Sequence, residues 1–398
     1  MDIDDHRQIG RRLDLFHLQE EAPGMVFWHP RGFALLRALE ERVRAQIRAE
    51  GYGEVRTPQL LGQKLWELSG HWQSFREDMF VLNAEERAYA LKPVSCPGHI
   101  QIVARDVVSY RALPLRLAEL GVCHRAEASG SLMGLFRLRQ FTQDDGHIFC
   151  REEDVPAEIV RFCRGLRAFY ADFGFDRFEV SCSLRPEKRA GSEEVWDRAE
   201  SVLLKAAEDA GLDPAIRPGQ GAFYGPKLEF ALRDRVDRAW QCGTIQLDYV
   251  LPERFDLCYS GPSGDRPRMV MLHRALLGSF ERFMAVLLEH HHGVLPAWLA
   301  PVQVVVAPIG EGAVEAAEAL AARLGQASIR AVLDRSDASL ARRVRESHEA
   351  GAPIFVAIGP REVQRGEISI RRRGAAPEVM PLDQGIQGIL AECRPGSG

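Results

Sequence analysis

Between Cys123 and Cys150 the chain reads as strand, loop, strand, and no other stretch constrains the fold as much. The loop signal is Ala128-Ser129-Gly130-Ser131, closed by Gly134. Side chains alternate faces along a strand. Arg137, Arg139, Phe141, Gln143, Asp145 and His147 are therefore expected on one face. That face combines guanidinium groups, an aromatic ring, an amide, a carboxylate and an imidazole. A core-facing strand carries apolar side chains there, so this face must look into a site or into water. The plainer reading is a solvated face of an antiparallel sheet. Against it, Phe141 has no use on a wet, charged face. The first strand also adds Cys123, Arg125 and Glu127 in the same alternation.

With 398 residues the chain has room for two or three domains. Its net charge of −5 gives no global basic field, so any nucleic-acid contact must come from local patches. The acidic start Met1-Asp-Ile-Asp-Asp is not a signal peptide. No apolar run approaches the roughly 18 residues of a membrane span. The eight cysteines are scattered without a Cys-x-x-Cys pair, which points to a reducing, cytoplasmic setting with most thiols simply buried. No Walker A sequence and no Gly-x-Gly-x-x-Gly after a strand occurs, so a nucleotide would not bind through a familiar glycine loop.

Along the chain, residues 5–22 carry some helical pattern and 26–29 a short strand. Phe33, Leu36, Leu39, Val43 and Ile47 predict an amphipathic helix over 31–50, stopped by Gly51 and followed by a strand from Tyr52 to Thr57. His71 sits between Trp66 and Trp72, where a core-edge histidine is the plain reading. Prolines 93 and 97 bracket Cys96, which puts the thiol on a rigid loop ahead of a helix over 99–110. Helices are expected over 152–173 and 193–210, with a strand over 178–184. A glycine-rich loop at 219–227 runs into a strand ending at Leu232. Its expected partner is 240–249, with Thr244, Gln246 and Asp248 on one face. Met269 to His273 reads as a strand leading into a helix that ends at His291. The run His290-His291-His292 complements the end of that helix and needs no metal. After Pro301, strands and helices alternate, the pattern of a small α/β domain with a mostly parallel sheet.

Several runs in this order resemble a known family: Lys92-Pro-Val-Ser-Cys-Pro-Gly-His, Cys123-His-Arg-Ala-Glu, Phe141-Thr-Gln-Asp-Asp-Gly-His-Ile-Phe, Gly221-Ala-Phe-Tyr-Gly-Pro-Lys, Trp240-Gln-Cys-Gly-Thr-Ile-Gln-Leu-Asp and Leu272-His-Arg-Ala-Leu-Leu-Gly-Ser-Phe-Glu-Arg. Together they are similar to the class II aminoacyl-tRNA synthetases, the threonyl-tRNA synthetase group most closely. The resemblance runs from about residue 8 to the C-terminus. It implies an α+β fold: an antiparallel catalytic sheet flanked by helices over 1–300, then a small α/β anticodon-binding domain over 301–398. It implies ATP bound by Arg125, Glu127, Arg137, Phe141, Gln241, Ser279 and Arg282, with Arg125 and Arg282 acting in catalysis. Cys96, His147 and His273 match three ligands of one zinc ion per subunit; their spacing fits no short finger pattern. Gln143, Asp145, Tyr224, Thr244 and Gln246 match a threonine pocket, and His71 matches a proton acceptor in the transfer step. Glu362 and Arg371 stand where anticodon bases are read, and Asp337 replaces an amide found in relatives.

The resemblance further implies Mg²⁺ with ATP, tRNA(Thr) as partner, and a homodimer formed through the 31–50 helix and the strand after it. Relatives often carry a serine-editing domain ahead of the core, and the expectation here is serine mischarging unless another protein edits. Two other readings are a paralogue that loads threonine onto a non-tRNA acceptor and a non-catalytic RNA-binding paralogue. The anticodon-type domain weighs against the first, and the retained Arg125, Arg137 and Arg282 against the second.

Overall fold

Leu115–His124 and Gln140–Cys150 pair antiparallel, with Cys123 opposite Phe141 and Glu119 opposite Asp145. In the computed structural model, which describes residues 5–395, they belong to an eight-stranded sheet. Its strand order is Ala215–Arg217, Glu179–Ser183, Lys227–Arg233, Ala239–Asp248, Val270–Ala275, Gln140–Cys150, Leu115–His124 and Gly53–Glu54. All neighbours are antiparallel except the outermost pair at each end.

Period-two alternation divides this sheet into two chemistries. Ile148, Phe230, Ile245, Leu247 and Leu272 are fully or almost fully buried in the main core. The helices Val155–Ala171, Glu193–Asp209 and Phe280–His290 cover that face through Leu166, Tyr170, Leu203 and Phe283. Each such aliphatic or aromatic side chain contributes about 1.5–3 kcal/mol by leaving water. The opposite face holds Thr244, Gln246, His273 and His147.

Pro30–Ala49 is a helix because Pro30 presets the first turn and Leu35, Leu39, Val43 and Ile47 repeat on one face. Gly51 ends it with φ near 76°. Phe33, expected among the core positions, is 49% exposed; fully buried Leu35 takes the inward place. Leu60–Gly62, Val81–Ala84 and Arg87–Leu91 form a small sheet that sequence reasoning missed. Its hairpin turns on Glu85 and Glu86, both at positive φ, where Asn-Gly is the usual signal.

Two further expectations are corrected. Cys96 is the first residue of the helix Cys96–Val103, not part of a loop, because Pro97 sits where the first helical turn needs no N–H donor. The strand of the opening motif begins at Gln140, so Arg137 and Arg139 precede it. Arg139 turns back to the Glu127 carbonyl and the Ser129 hydroxyl.

After residue 301 a five-stranded sheet has its own core, including Val304, Val306, Ile354, Val356, Ile368 and Ile370. Val304–Pro308, Ala331–Leu333 and Ile354–Ile358 are parallel, as expected. Glu367–Arg372 is antiparallel, and it pairs with the unanticipated strand Glu378–Pro381. The short helix Pro360–Arg365 cannot span a parallel crossover, which needs a dozen or more residues. Among the described residues no helix is long and apolar enough to cross a membrane.

Candidate active site

Sheet register builds the site. Lys227 stands opposite Gln246, Gln246 opposite His273, and His273 opposite His147. The four side chains form a row across four strands and line a cleft of about 680 Å³. The cleft is also lined by His71, Cys96, Arg125, Glu127, Arg137, Phe141, Gln143, Asp145, Tyr224, Gln241, Thr244, Ser279 and Arg282. Every candidate from the sequence outside the C-terminal domain therefore reaches one cavity. Lys227 was not a candidate, although the row places it there; its Nζ pairs with Glu229 at 2.7 Å.

At one end lie Cys96, His147 and His273. Their sulfur and ring nitrogens all lie within 4.8 Å of one another, and all three residues are buried. A thiol and two imidazoles at such distances could hold a zinc ion and leave it open to a ligand from the cleft. Burial first, then the charges of Asp145 and Asp248, push the Cys96 thiol well above its ordinary pKa. A bound cation reverses that balance, since a coordinated thiol loses its proton outright.

The neighbouring pocket is polar and fixed. Asp145 accepts from the Ser95 N–H at 3.3 Å, and burial pushes its carboxyl upward. Tyr224 donates to Gln246 Oε1 at 2.7 Å and stacks on His273 at 4.8 Å. Gly225 allows this: a Cβ there would lie 2.0 Å from the Leu247 carbonyl oxygen. Gln241 donates to the Thr244 hydroxyl at 2.5 Å. Cys123 donates to Gln143 Oε1 at 3.5 Å. His71 is buried and its Nδ1 lies 2.9 Å from the Ser69 hydroxyl. Burial, then the charges of His273, Arg254 and Arg125, lower its pKa to about 3, so the ring is neutral near pH 7.

The other end gathers the arginines. Arg125 donates to the Pro93 carbonyl at 3.3 Å and sits 5.1 Å from the Phe141 ring centre. Arg282 donates to the carbonyls of Phe136 and Gln241, each at 3.1 Å. Ser279 caps the helix that carries it by accepting from the Arg282 N–H. Arg137 is exposed and pairs with Glu127 at 2.9 Å.

In the C-terminal domain, Glu362 Oε2 accepts from the Gly359 N–H at 2.9 Å and so caps its own helix. Arg371 is half-buried opposite Phe355. Asp337 is exposed, and Asp334 instead takes Arg343 at 2.7 Å. None of these three lines the cleft.

Residues 80–291 match the tRNA synthetase class II core domain (G, H, P, S and T), and residues 303–392 match the anticodon binding domain. A threonine-tRNA ligase of Gluconacetobacter diazotrophicus is 52% identical over 394 residues, covering 98% of this chain and 62% of that one. A threonine-tRNA ligase of Rhodospirillum rubrum is 50% identical over 389 residues, covering 98% and 60%. This chain thus spans about three-fifths of the length of these curated relatives. The crystal structure described as the RNA binding domain of threonyl-tRNA synthetase from Cryptosporidium parvum Iowa II superposes with a TM-score of 0.94, at 40% identity and 97% coverage of both chains. With the sheet, the cleft and these likenesses in agreement, the chain belongs to the class II tRNA synthetase family, among the threonyl-tRNA synthetases.

Proposed function

We propose that this chain activates L-threonine with ATP and transfers the threonyl group to tRNA(Thr). One observation carries the reading: a single cleft joins three arginines at one end to a buried Cys-His-His trio at the other. In the first step the threonine carboxylate attacks the α-phosphate. An O–P bond forms, the bond to the pyrophosphate group breaks, and threonyl-adenylate results. Negative charge grows on the phosphoryl oxygens. Arg125 and Arg282 meet that charge, and their carbonyl contacts hold them in place beforehand. Phe141 stacks on adenine, Glu127 accepts from its amino group, and Arg137, Gln241 and Ser279 complete the ATP contacts. Mg²⁺ accompanies the phosphates. Positioning, rather than proton transfer, supplies most of the rate in this step.

Cys96, His147 and His273 would hold zinc, which when bound supplies a Lewis acid for the amino acid's amino and hydroxyl groups. Asp145 accepts from the substrate hydroxyl, and Gln143, Tyr224, Thr244 and Gln246 enclose the rest. Valine lacks the hydroxyl and leaves that polar set unpaired, whereas serine lacks only a methyl, a difference of about 1–3 kcal/mol. In the transfer step the neutral His71 ring takes the proton of the tRNA's terminal ribose. Glu362 and Arg371 contact the anticodon, and the enzyme works in the cytoplasm as a homodimer.

Purified chain, zinc, ATP and a tRNA(Thr) transcript test this. Threonyl-tRNA should accumulate, and Arg282→Ala should lower kcat by roughly 10²–10³-fold. Failure of the unmodified chain to threonylate, or an Arg282→Ala variant of full activity, would reject the reading.

A further inference from the structure

The two ligand histidines are not free to choose which nitrogen carries the proton. We infer that Asp248, and Glu119 acting through His99, are positioning residues that fix the tautomers of His273 and His147. Each ring then presents a bare nitrogen to the same metal. This rests on the zinc reading above and adds residues to it.

Asp248 is fully buried. Its Oδ1 accepts from the Val250 and Leu251 N–H groups at 2.7 and 2.9 Å, starting the short helix Val250–Arg254. Its Oδ2 lies 2.9 Å from His273 Nε2. A carboxylate can only accept, so the His273 proton sits on Nε2 and Nδ1 is bare.

The second path is one link longer. Glu119 is buried and accepts from Lys92 Nζ at 2.8 Å, from the Thr57 N–H at 3.0 Å and from the Thr57 hydroxyl at 2.8 Å. Its Oε2 also lies 3.2 Å from His99 Nε2. A neutral His99 donates from Nε2 and accepts at Nδ1. The group 2.8 Å from that Nδ1 is His147 Nδ1, which donates. His147 Nε2 is then bare, like His273 Nδ1, and these two nitrogens face each other at 3.1 Å. A cation beside the Cys96 sulfur would be held by both bare nitrogens. The opposite tautomer of either ring would point an N–H at the metal and remove a ligand. Cys96 and His99 stand three residues apart on the helix Cys96–Val103 and share a face, so one helical turn delivers a ligand and the partner of another.

Asp248→Asn is the sharp test. Its single carbonyl oxygen is claimed by the Val250 and Leu251 N–H groups, which turns the amide NH₂ toward His273 and forces the wrong tautomer at nearly constant shape. His99→Phe removes the acceptor for His147. Zinc affinity of the whole chain is measured by competition with a chromogenic chelator, and the Co²⁺-loaded chain is read by its visible spectrum. Thermal melting of each metal-free variant monitors folding. Both variants should bind zinc 10–100-fold more weakly, with an altered Co²⁺ spectrum. If one variant fails to fold, the other decides alone. Folded variants that hold zinc as tightly as the unmodified chain overturn the tautomer assignment while leaving the zinc site standing. An unmodified chain that takes up no zinc overturns the zinc reading itself.

Discussion

Asp144 and Asp145 are neighbours with opposite duties, and alternation along one strand separates them. Asp145 looks into the cleft. Asp144 looks the other way, fully buried, and accepts from the N–H groups of Leu276, Leu277 and Gly278 at 2.6, 2.9 and 3.1 Å. It fixes the turn that leads to Ser279 and Arg282. The sequence singled out Asp145 but gave no sign of Asp144, because a carboxylate that binds backbone across a sheet has no local motif. Glu281 makes the return contact, with both carboxylate oxygens 3.0 Å from the Thr142 N–H. Burial raises its pKa from the ordinary 4.5 to about 7. Between those values the folded chain keeps a proton that the unfolded chain has released, so this residue makes stability fall as pH rises from 4.5 to about 7. Glu281→Gln should gain on the unmodified chain across that window, by on the order of 3 kcal/mol. Chemical denaturation at pH 4.5 and pH 8 reads this directly; parallel profiles for the two proteins would refute it.

At the scale of elements, strongly periodic segments were legible and short ones were not. The helix Pro30–Ala49 follows from its apolar spacing, and the strands at the centre of the sheet follow from alternation. Errors fell where two signals competed. Pro93 and Pro97 suggested a loop around Cys96, yet proline is also at home in a first helical turn. The opening alternation seemed to include Arg137 and Arg139, but the loop still holds both. Phe33 fits the helical pattern and nevertheless stands half-exposed, on the helix next to the sheet's last strand, Gly53–Glu54. We expect that face to meet a second copy of the chain. Sedimentation at micromolar concentration should give the mass of two chains, and Phe33→Asp should shift it toward one. A single-chain mass for the unmodified protein would count against the homodimer.

For the whole molecule, sequence patterning reached the architecture: an antiparallel sheet with one chemically rich face, then a smaller α/β unit with its own core. It did not reach the assembly of the site. Cys96 comes from a helix start, while His147 and His273 come from two strands that are neighbours only in the folded sheet. No spacing rule connects them, and only family resemblance joined them before the fold did. Alternation put Asp248 on the face of Thr244 and Gln246, but its bond to His273, like the bonds of His99 and Glu119, lay further out of reach, because buried hydrogen bonds between distant segments leave no periodic trace. The central claim is that one cleft selects threonine through a metal and joins it to ATP. ATP-pyrophosphate exchange tests it most directly, run with threonine, serine, valine and proline in turn. A zinc-selective chelator is then added under excess Mg²⁺, and zinc is returned. Threonine should support strong exchange, serine weaker exchange, and valine and proline only background. The chelator should abolish the threonine signal and zinc should restore it. Exchange that needs no threonine, or that survives chelation unchanged, would contradict the account.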